Sequence, residues 1–184
     1  MAWISSGVSS IRAVVLYFDW FDLPVSLFPD LNLLKQRFLT KSKSFHPDKF
    51  TLAPEDEKNK ALELAGLNNQ AFKILNNLDS RIHYILSEFG LLKDEKEQMP
   101  HDFLMKMLSF NEAISDLEDH PEGLDSLFRE LNDWEDELQA DLNHCSSLQP
   151  LSPQNAAPLK SYYLKRKYYL RIKNNLSKFA PPTE

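Results

Sequence analysis

Apolar residues recur at helical spacing along most of this chain, in stretches broken by proline, glycine and charged turns. Leu31, Leu34, Phe38 and Phe45 share one stripe and predict a helix over residues 30–45, with Asp30 as its N-cap. Pro47 has no N–H to donate and disfavours α geometry at His46, so this helix stops at His46-Pro47-Asp48. A second pattern runs from about Asp56 to Leu78, with Leu64, Leu67, Ala71, Leu75 and Leu78 on one face. Together they predict an antiparallel helical hairpin whose rigid tip sets an imidazole beside a carboxylate. Gly90 is a natural helix C-cap, and the charged run from Lys93 to Pro100 reads as a linker.

Beyond the linker, Phe103, Met107, Phe110, Ile114 and Leu117 repeat in alternating steps of four and three, the seam of a bundle helix over about 102–117. Leu124, Leu127, Leu131, Trp134, Leu138, Leu142 and Cys145 mark a second helix from about Gly123 to Ser146. Tyr162, Tyr169, Ile172, Leu176 and Phe179 mark a third, which begins near Asn155 and ends before Pro181. Three amphipathic helices with short connections predict a three-helix bundle.

Composition adds limits. The chain has 184 residues, 42% of them hydrophobic, enough for one core or two small ones. Only four glycines, with no strand alternation and no Asn-Gly hairpin signal, favour an all-α fold. One cysteine excludes an internal disulfide framework and a cysteine-rich metal module. No apolar run approaches the length needed to cross a bilayer. Residues 1–16 hold no acid, one arginine and four serines. Three readings fit them: a mitochondrial presequence or, in a bacterial, cytoplasmic protein, a flexible leader or an upstream start codon.

Charge is segregated. Residues 30–50 carry five bases against two acids, residues 92–147 carry sixteen acids against four bases, and residues 158–178 carry seven bases and no acid. The last helix is expected to neutralise the acidic one within the bundle, and the acidic middle argues against a nucleic-acid footprint. On the first bundle helix, Leu104, Met105 and Leu108 lie off a seam that is already complete. Positions 104, 108, 112 and 116 form one row passing from Leu, Leu to Glu, Asp. This row is either an exposed partner-binding patch rimmed by carboxylates or a surface that faces the first hairpin or widens the bundle core.

Catalytic readings find little support. His46 and Asp48 could form an acid–base pair only if a nucleophile reached them, and Cys145, beside His144, falls on the bundle stripe as a buried thiol. The histidines at 46, 83, 101, 120 and 144 show no paired ligand spacing, and His83 and His101 read as surface or element-end residues. Tyr162, Tyr163, Tyr168 and Tyr169 interleave with Lys165, Arg166 and Lys167, but helical spacing sends some of these tyrosines to the core and the bases away from it.

The first hairpin resembles the J-domain of DnaJ-type co-chaperones. Tyr17-Phe18-Asp19-Trp20-Phe21-Asp22-Leu23-Pro24 looks like its opening helix and Phe45-His46-Pro47-Asp48-Lys49-Phe50 like its loop. Asn69-Gln70-Ala71-Phe72 with Leu75 looks like its third helix, and Asp79-Ser80-Arg81-Ile82-His83-Tyr84-Ile85-Leu86 like its closing helix. Such a module joined to an acidic three-helix bundle resembles the HscB/Jac-type co-chaperone of iron–sulfur cluster assembly. Asp102-Phe103-Leu104-Met105-Lys106-Met107-Leu108, with Glu112 following, is the most specific match outside the hairpin.

The resemblance implies an all-α protein: a leader or flexible N-terminus at 1–16, a J-domain at 17–90, a linker at 91–101 and a scaffold-binding bundle at 102–180. It implies a non-enzymatic role without cofactor or metal. His46, Pro47 and Asp48 would engage a DnaK/HscA-type chaperone and stimulate its ATPase, with Lys35, Arg37, Lys41, Lys43 and Lys49 steering association. Leu104, Met105, Leu108, Glu112 and Asp116 would bind an IscU-type scaffold, and Tyr169 would correspond to a family aromatic. Leu39 and Thr40 stand where other J-domains often carry bases, and Ser109 where a contact is usually acidic. A J-protein that delivers a different client is the alternative.

Overall fold

A computed structural model describes residues 15–92, 100–148 and 150–179. The described residues are helical and contain no strand, so the fold is all-α. The chain divides into two compact units, Met1–Leu92 with Gln149–Pro153, and Lys93–Leu148 with Gln154–Glu184. The expected leader at 1–16 lies outside the described residues except for its last two, which open the first helix. Most of the expected linker, residues 93–99, also lies outside them.

The first unit holds α1 (Val15–Trp20), α2 (Leu31–Ser44), a 3-10 turn (Pro47–Phe50), α3 (Glu55–Asn76) and α4 (Leu78–Glu88). Asp30 caps α2 by accepting the N–H groups of Asn32 and Leu33 at 2.9 and 3.0 Å, an arrangement worth about 1 kcal/mol. The helix ends where Phe45 donates to Lys41 and His46 turns extended ahead of Pro47. Glu55, Asp56 and Glu57 in the first turn of α3 complement its N-terminal dipole.

Helices α2 and α3 run antiparallel. Phe38 stacks on Phe72 with ring centroids 4.2 Å apart, whereas Ser42, one turn further on, meets Asn68, one turn earlier. Leu34, Ala71 and Leu75 fill the core between them, with Phe18, Phe21 and Leu27 from the N-terminal side and Ile82, Ile85 and Leu86 from α4.

Three expectations need correction. Leu31 shares the stripe's spacing but is exposed: the stripe reaches the start of α2, whereas burial begins at Leu34. The long second helix ends at Asn76. Asn77 adopts extended backbone and caps α4 through its side chain, so Leu78 belongs to the next element. Phe179 is exposed because α7 ends at Leu176, and beyond that point helical spacing no longer assigns a face. The C-cap expectation at Gly90 holds: its φ is 71°, and the following N–H, from Leu91, closes back on Leu86 at 2.9 Å.

The second unit is a bundle of α5 (His101–Asp116), α6 (Leu124–Ser146) and α7 (Ala157–Leu176). Trp134 of α6 is its centre. Its ring meets Phe103 and Phe110 of α5 at 5.3 and 5.6 Å and Tyr169 of α7 at 5.7 Å, mostly edge-on or tilted, the arrangements aromatic quadrupoles favour. Leu127, Leu131, Leu138, Leu142 and Cys145 continue the α6 stripe into the core. Acidic α6 and basic α7 pair as expected, Lys165 with Asp141 at 2.8 Å and Lys173 with Glu135 at 2.9 Å.

Candidate functional site

Two surfaces stand out, one on each unit. The first is the tip between α2 and α3. Pro47 begins a 3-10 turn in which Lys49 donates to the His46 carbonyl at 3.0 Å and the Thr51 hydroxyl to the Asp48 carbonyl at 2.6 Å. His46 Nδ1 accepts the Asp48 N–H at 3.3 Å and lies 3.4 Å from the Asp48 carboxylate. Both side chains project into solvent, with that of Asp48 89% exposed. The turn thus presents the Asp48 carboxylate to solvent as a hydrogen-bond acceptor. The imidazole supports the turn, and the hydroxyl of Ser42, which lines the groove beside it, accepts from the Asn68 amide. A groove of about 530 Å³ opens beside the turn, lined in part by Phe45, His46, Pro47, Leu62 and Asn68.

The five basic residues expected here do not share one role. Lys35, Lys43 and Lys49 are exposed. Arg37 instead donates through Nη1 to the carbonyls of Phe21 and Asp22, tying α2 to the turn after α1. Lys41 places its ammonium 4.5 Å from the centre of the Trp20 ring, a cation–π contact.

The second surface lies on α5. Phe103, Phe110 and Ile114 face the core, while Leu104, Met105 and Leu108 are 42, 52 and 52% exposed. Glu112 and Asp116 continue the same row in solvent. Within the bundle these residues do not widen the core; they form an apolar patch that grades into carboxylates. Beside the patch, Lys106 binds Glu137 at 3.0 Å and covers the Trp134 ring.

Tyr169 does not join this surface. It is 1% exposed and donates its hydroxyl to Glu135 at 2.6 Å, while Lys173 binds the same carboxylate oxygen. Burial and the bond to Glu135 push the Tyr169 hydroxyl above its ordinary pKa. The bonds from Tyr169 and Lys173 hold the Glu135 carboxyl below its own. Cys145 is buried, and burial pushes its thiol up, away from the reactive thiolate. His83 and His101 are exposed, as expected. No group of three or more metal-ligating side chains occurs among the described residues, and none of their helices is long and apolar enough to cross a membrane.

Pattern reading missed two buried polar residues of the first unit. Asn68 joins α1, α2 and α3 through its side-chain amide. Arg81 buries its guanidinium and donates to the carbonyls of Leu27, at 2.8 Å, and Leu75. Asn68 had a legible signal: positions 64, 68, 71 and 75 step by four, three and four, which sets an amide on a core seam.

Comparison with known proteins agrees with this architecture. A family model described as the HSCB C-terminal oligomerisation domain matches residues 99–177. A co-chaperone protein HscB homolog from Acinetobacter baylyi (strain ATCC 33305 / BD413 / ADP1) is 33% identical over 166 residues, covering 88% of this chain and 89% of that protein. Another from Vibrio atlanticus (strain LGP32) is 33% identical over 114 residues, 61% of this chain and 67% of that one. The fold matches chaperone HscB from Vibrio cholerae with a TM-score of 0.68 at 24% identity, over 88% of this chain and 96% of that one. It also matches human co-chaperone protein HscB with a TM-score of 0.51 at 22% identity, over 90 and 85% of the respective chains. With a relative at this identity aligned along nearly its whole length, the chain belongs to the HscB co-chaperone family.

Proposed function

We propose that this protein stimulates the ATPase of a DnaK/HscA-type chaperone through a J-domain at 17–90 and delivers an IscU-type iron–sulfur scaffold through the bundle at 102–180. The observation that carries the first half is the rigid, exposed His46-Pro47-Asp48 turn closing an antiparallel hairpin, with Lys35, Lys43 and Lys49 free in solvent. Asp48 supplies the acceptor, Pro47 fixes the turn, His46 supports it, and the free lysines steer encounter with an acidic surface. The second half is supported by the exposed row of Leu104, Met105, Leu108, Glu112 and Asp116, an apolar patch with an acidic end suited to a partner with an apolar face and a nearby cation. In this reading the bundle holds the scaffold and the J-domain docks on the ATP-bound chaperone. Faster hydrolysis then traps the scaffold there. The chain itself does no covalent chemistry, needs no cofactor and works in the cytoplasm, as befits its bacterial relatives.

Steady-state ATPase of the chaperone, with this protein and the scaffold added singly and together, tests the whole scheme. Synergy is expected. Asp48→Ala should abolish stimulation and keep scaffold binding, and the triple change Leu104→Ala, Met105→Ala and Leu108→Ala should do the reverse. Stimulation by folded Asp48→Ala would remove the J-domain assignment. Stimulation without any scaffold effect would leave a J-protein for another client.

A further inference from the structure

We infer that Asn68 is a positioning residue for the His46-Pro47-Asp48 turn, a buried amide latch that sets where the tip of α2 sits on α3. This rests on the proposed role of that turn. Asn68 is 1% exposed, on the face of α3 that meets α2. Its Nδ2 donates to the Phe38 carbonyl at 3.1 Å and to the Ser42 hydroxyl at 2.9 Å, and its Oδ1 accepts the Trp20 indole N–H at 3.0 Å. The bonds thus reach two successive turns of α2 and the end of α1. Trp20 extends the latch toward the tip: its ring meets Phe45, the residue just before His46, at 5.8 Å, and Lys41 lies over it at 4.5 Å.

Why this network acts on position as well as on stability follows from its chemistry. An apolar side chain on this seam would pack over a range of registers, because dispersion and hydrophobic burial are not directional. A buried amide is costly unless its donors and acceptor meet partners at hydrogen-bond geometry. Asn68 therefore accepts only one axial register of α2, one in which the Phe38 carbonyl and the Ser42 hydroxyl both come within reach of Nδ2. That register sets the height of Phe45 and of the turn that follows. Asn68 and the turn also line the same groove beside α3, so a slip of α2 would change the surface presented to a partner.

The test uses the full chain carrying Asn68→Leu, with Ser42→Ala and Trp20→Phe as milder variants that each remove one bonding partner. Two readouts apply: hydrogen exchange across residues 42–49, and chaperone ATPase stimulation as a function of protein concentration. Both are made well below the unfolding temperature of each variant, and exchange across 42–49 is compared with exchange across α4, because a loss of global stability raises both whereas release of the turn raises only the first. Asn68→Leu should raise exchange across 42–49 and raise the half-maximal concentration for stimulation about tenfold, the factor expected when bonds of ordinary strength no longer hold the turn. Binding through the bundle should not change. Native exchange and native stimulation in Asn68→Leu would overturn the inference. If Asn68→Leu does not fold, the same readouts on the two milder variants decide it. If the wild-type protein fails to stimulate the chaperone, the proposed function falls, and exchange across 42–49 alone judges the latch.

Discussion

Arg37 donates to the carbonyl of Asp22, the only non-glycine residue with left-handed backbone among the described residues. Asp22 has φ 47°, a conformation that costs about 1–2 kcal/mol for a residue with a Cβ, although aspartate tolerates it better than most. The same guanidinium nitrogen reaches the Phe21 carbonyl and lies 4.0 Å from the Asp22 carboxylate. A base that reads in sequence as part of a docking face is thus a clamp on the turn that follows α1.

Arg37→Ala should lower the unfolding free energy by about 1–3 kcal/mol, since it strips two carbonyls of a charged donor. Arg37→Lys should recover only part of that, lacking the planar fork. Lys43→Ala, in solvent on the same helix, should stay within about 0.5 kcal/mol of wild type. Urea titrations of the three variants check this. Equal midpoints for Arg37→Ala and Lys43→Ala would contradict the clamp.

Arg81 poses the opposite case, a cation in the core. Burial pushes its guanidinium down to about 10, which leaves it charged at neutral pH, and the Leu27 and Leu75 carbonyls supply its partners. Arg81→Met should cost roughly 2–4 kcal/mol, because it leaves those buried acceptors without a donor. A thermal melt that matches wild type would show that the carbonyls find other partners.

Glu135 makes the bundle acid-sensitive. Its carboxyl is held below the ordinary 4.5 by the Tyr169 hydroxyl and then by Lys173. The unfolded chain therefore takes up this proton at a higher pH than the folded one. The contribution is complete above the unfolded pKa and disappears as pH falls through the lowered folded value. Wild type should lose more stability than Glu135→Gln as pH drops from neutral to below 4.5, by a modest amount because Glu135 is half exposed. Parallel stability curves for the two proteins would count against it.

Tyr84 gives the mirror image at high pH. Burial pushes its hydroxyl up to about 12, beside a stacked Tyr17 whose ring lies 4.6 Å away. A raised pKa stabilises the fold below the unfolded value of 10, and that contribution is lost as pH rises from 10 toward 12. Phenolate absorbance should show a component near 12 that Tyr84→Phe removes. Titration of every tyrosine near 10 would be inconsistent with the packing described.

On the bundle, core and patch can be separated on a single helical pair. Tyr169→Phe should cost about 1 kcal/mol of stability and leave scaffold binding unchanged, since it removes a hydroxyl bonded to Glu135 and Lys173 and keeps the buried ring. Leu108→Glu should do the reverse, cutting binding at least about tenfold with little change in melting, as a charge enters an interface from an exposed site. Calorimetric titration with the scaffold distinguishes them, and a binding loss in Tyr169→Phe would return that tyrosine to the interface.

The helices were legible because burial imposes a period on the sequence. Phe103 to Leu117 and Leu124 to Cys145 carry that period without interruption, and the structure buries nearly all of those residues. Leu104 and Leu108 were legible as surplus on a seam already complete. The stripe of the last helix likewise set Tyr169 in the core, where it lies. The partners of Arg37 and Lys41 were not legible, because a side chain's partner is set by what another helix brings across, and helical spacing encodes only the face from which it departs. Arg81 is the extreme: its acceptors are main-chain carbonyls, which carry no residue identity to read.

The single thiol, Cys145, lies sealed in the bundle core. The native chain is accordingly a blank background for maleimide chemistry. A cysteine introduced at exposed position 43 or 108 would be the sole group to take a fluorophore, so each proposed contact face can carry its own reporter without first removing a native residue.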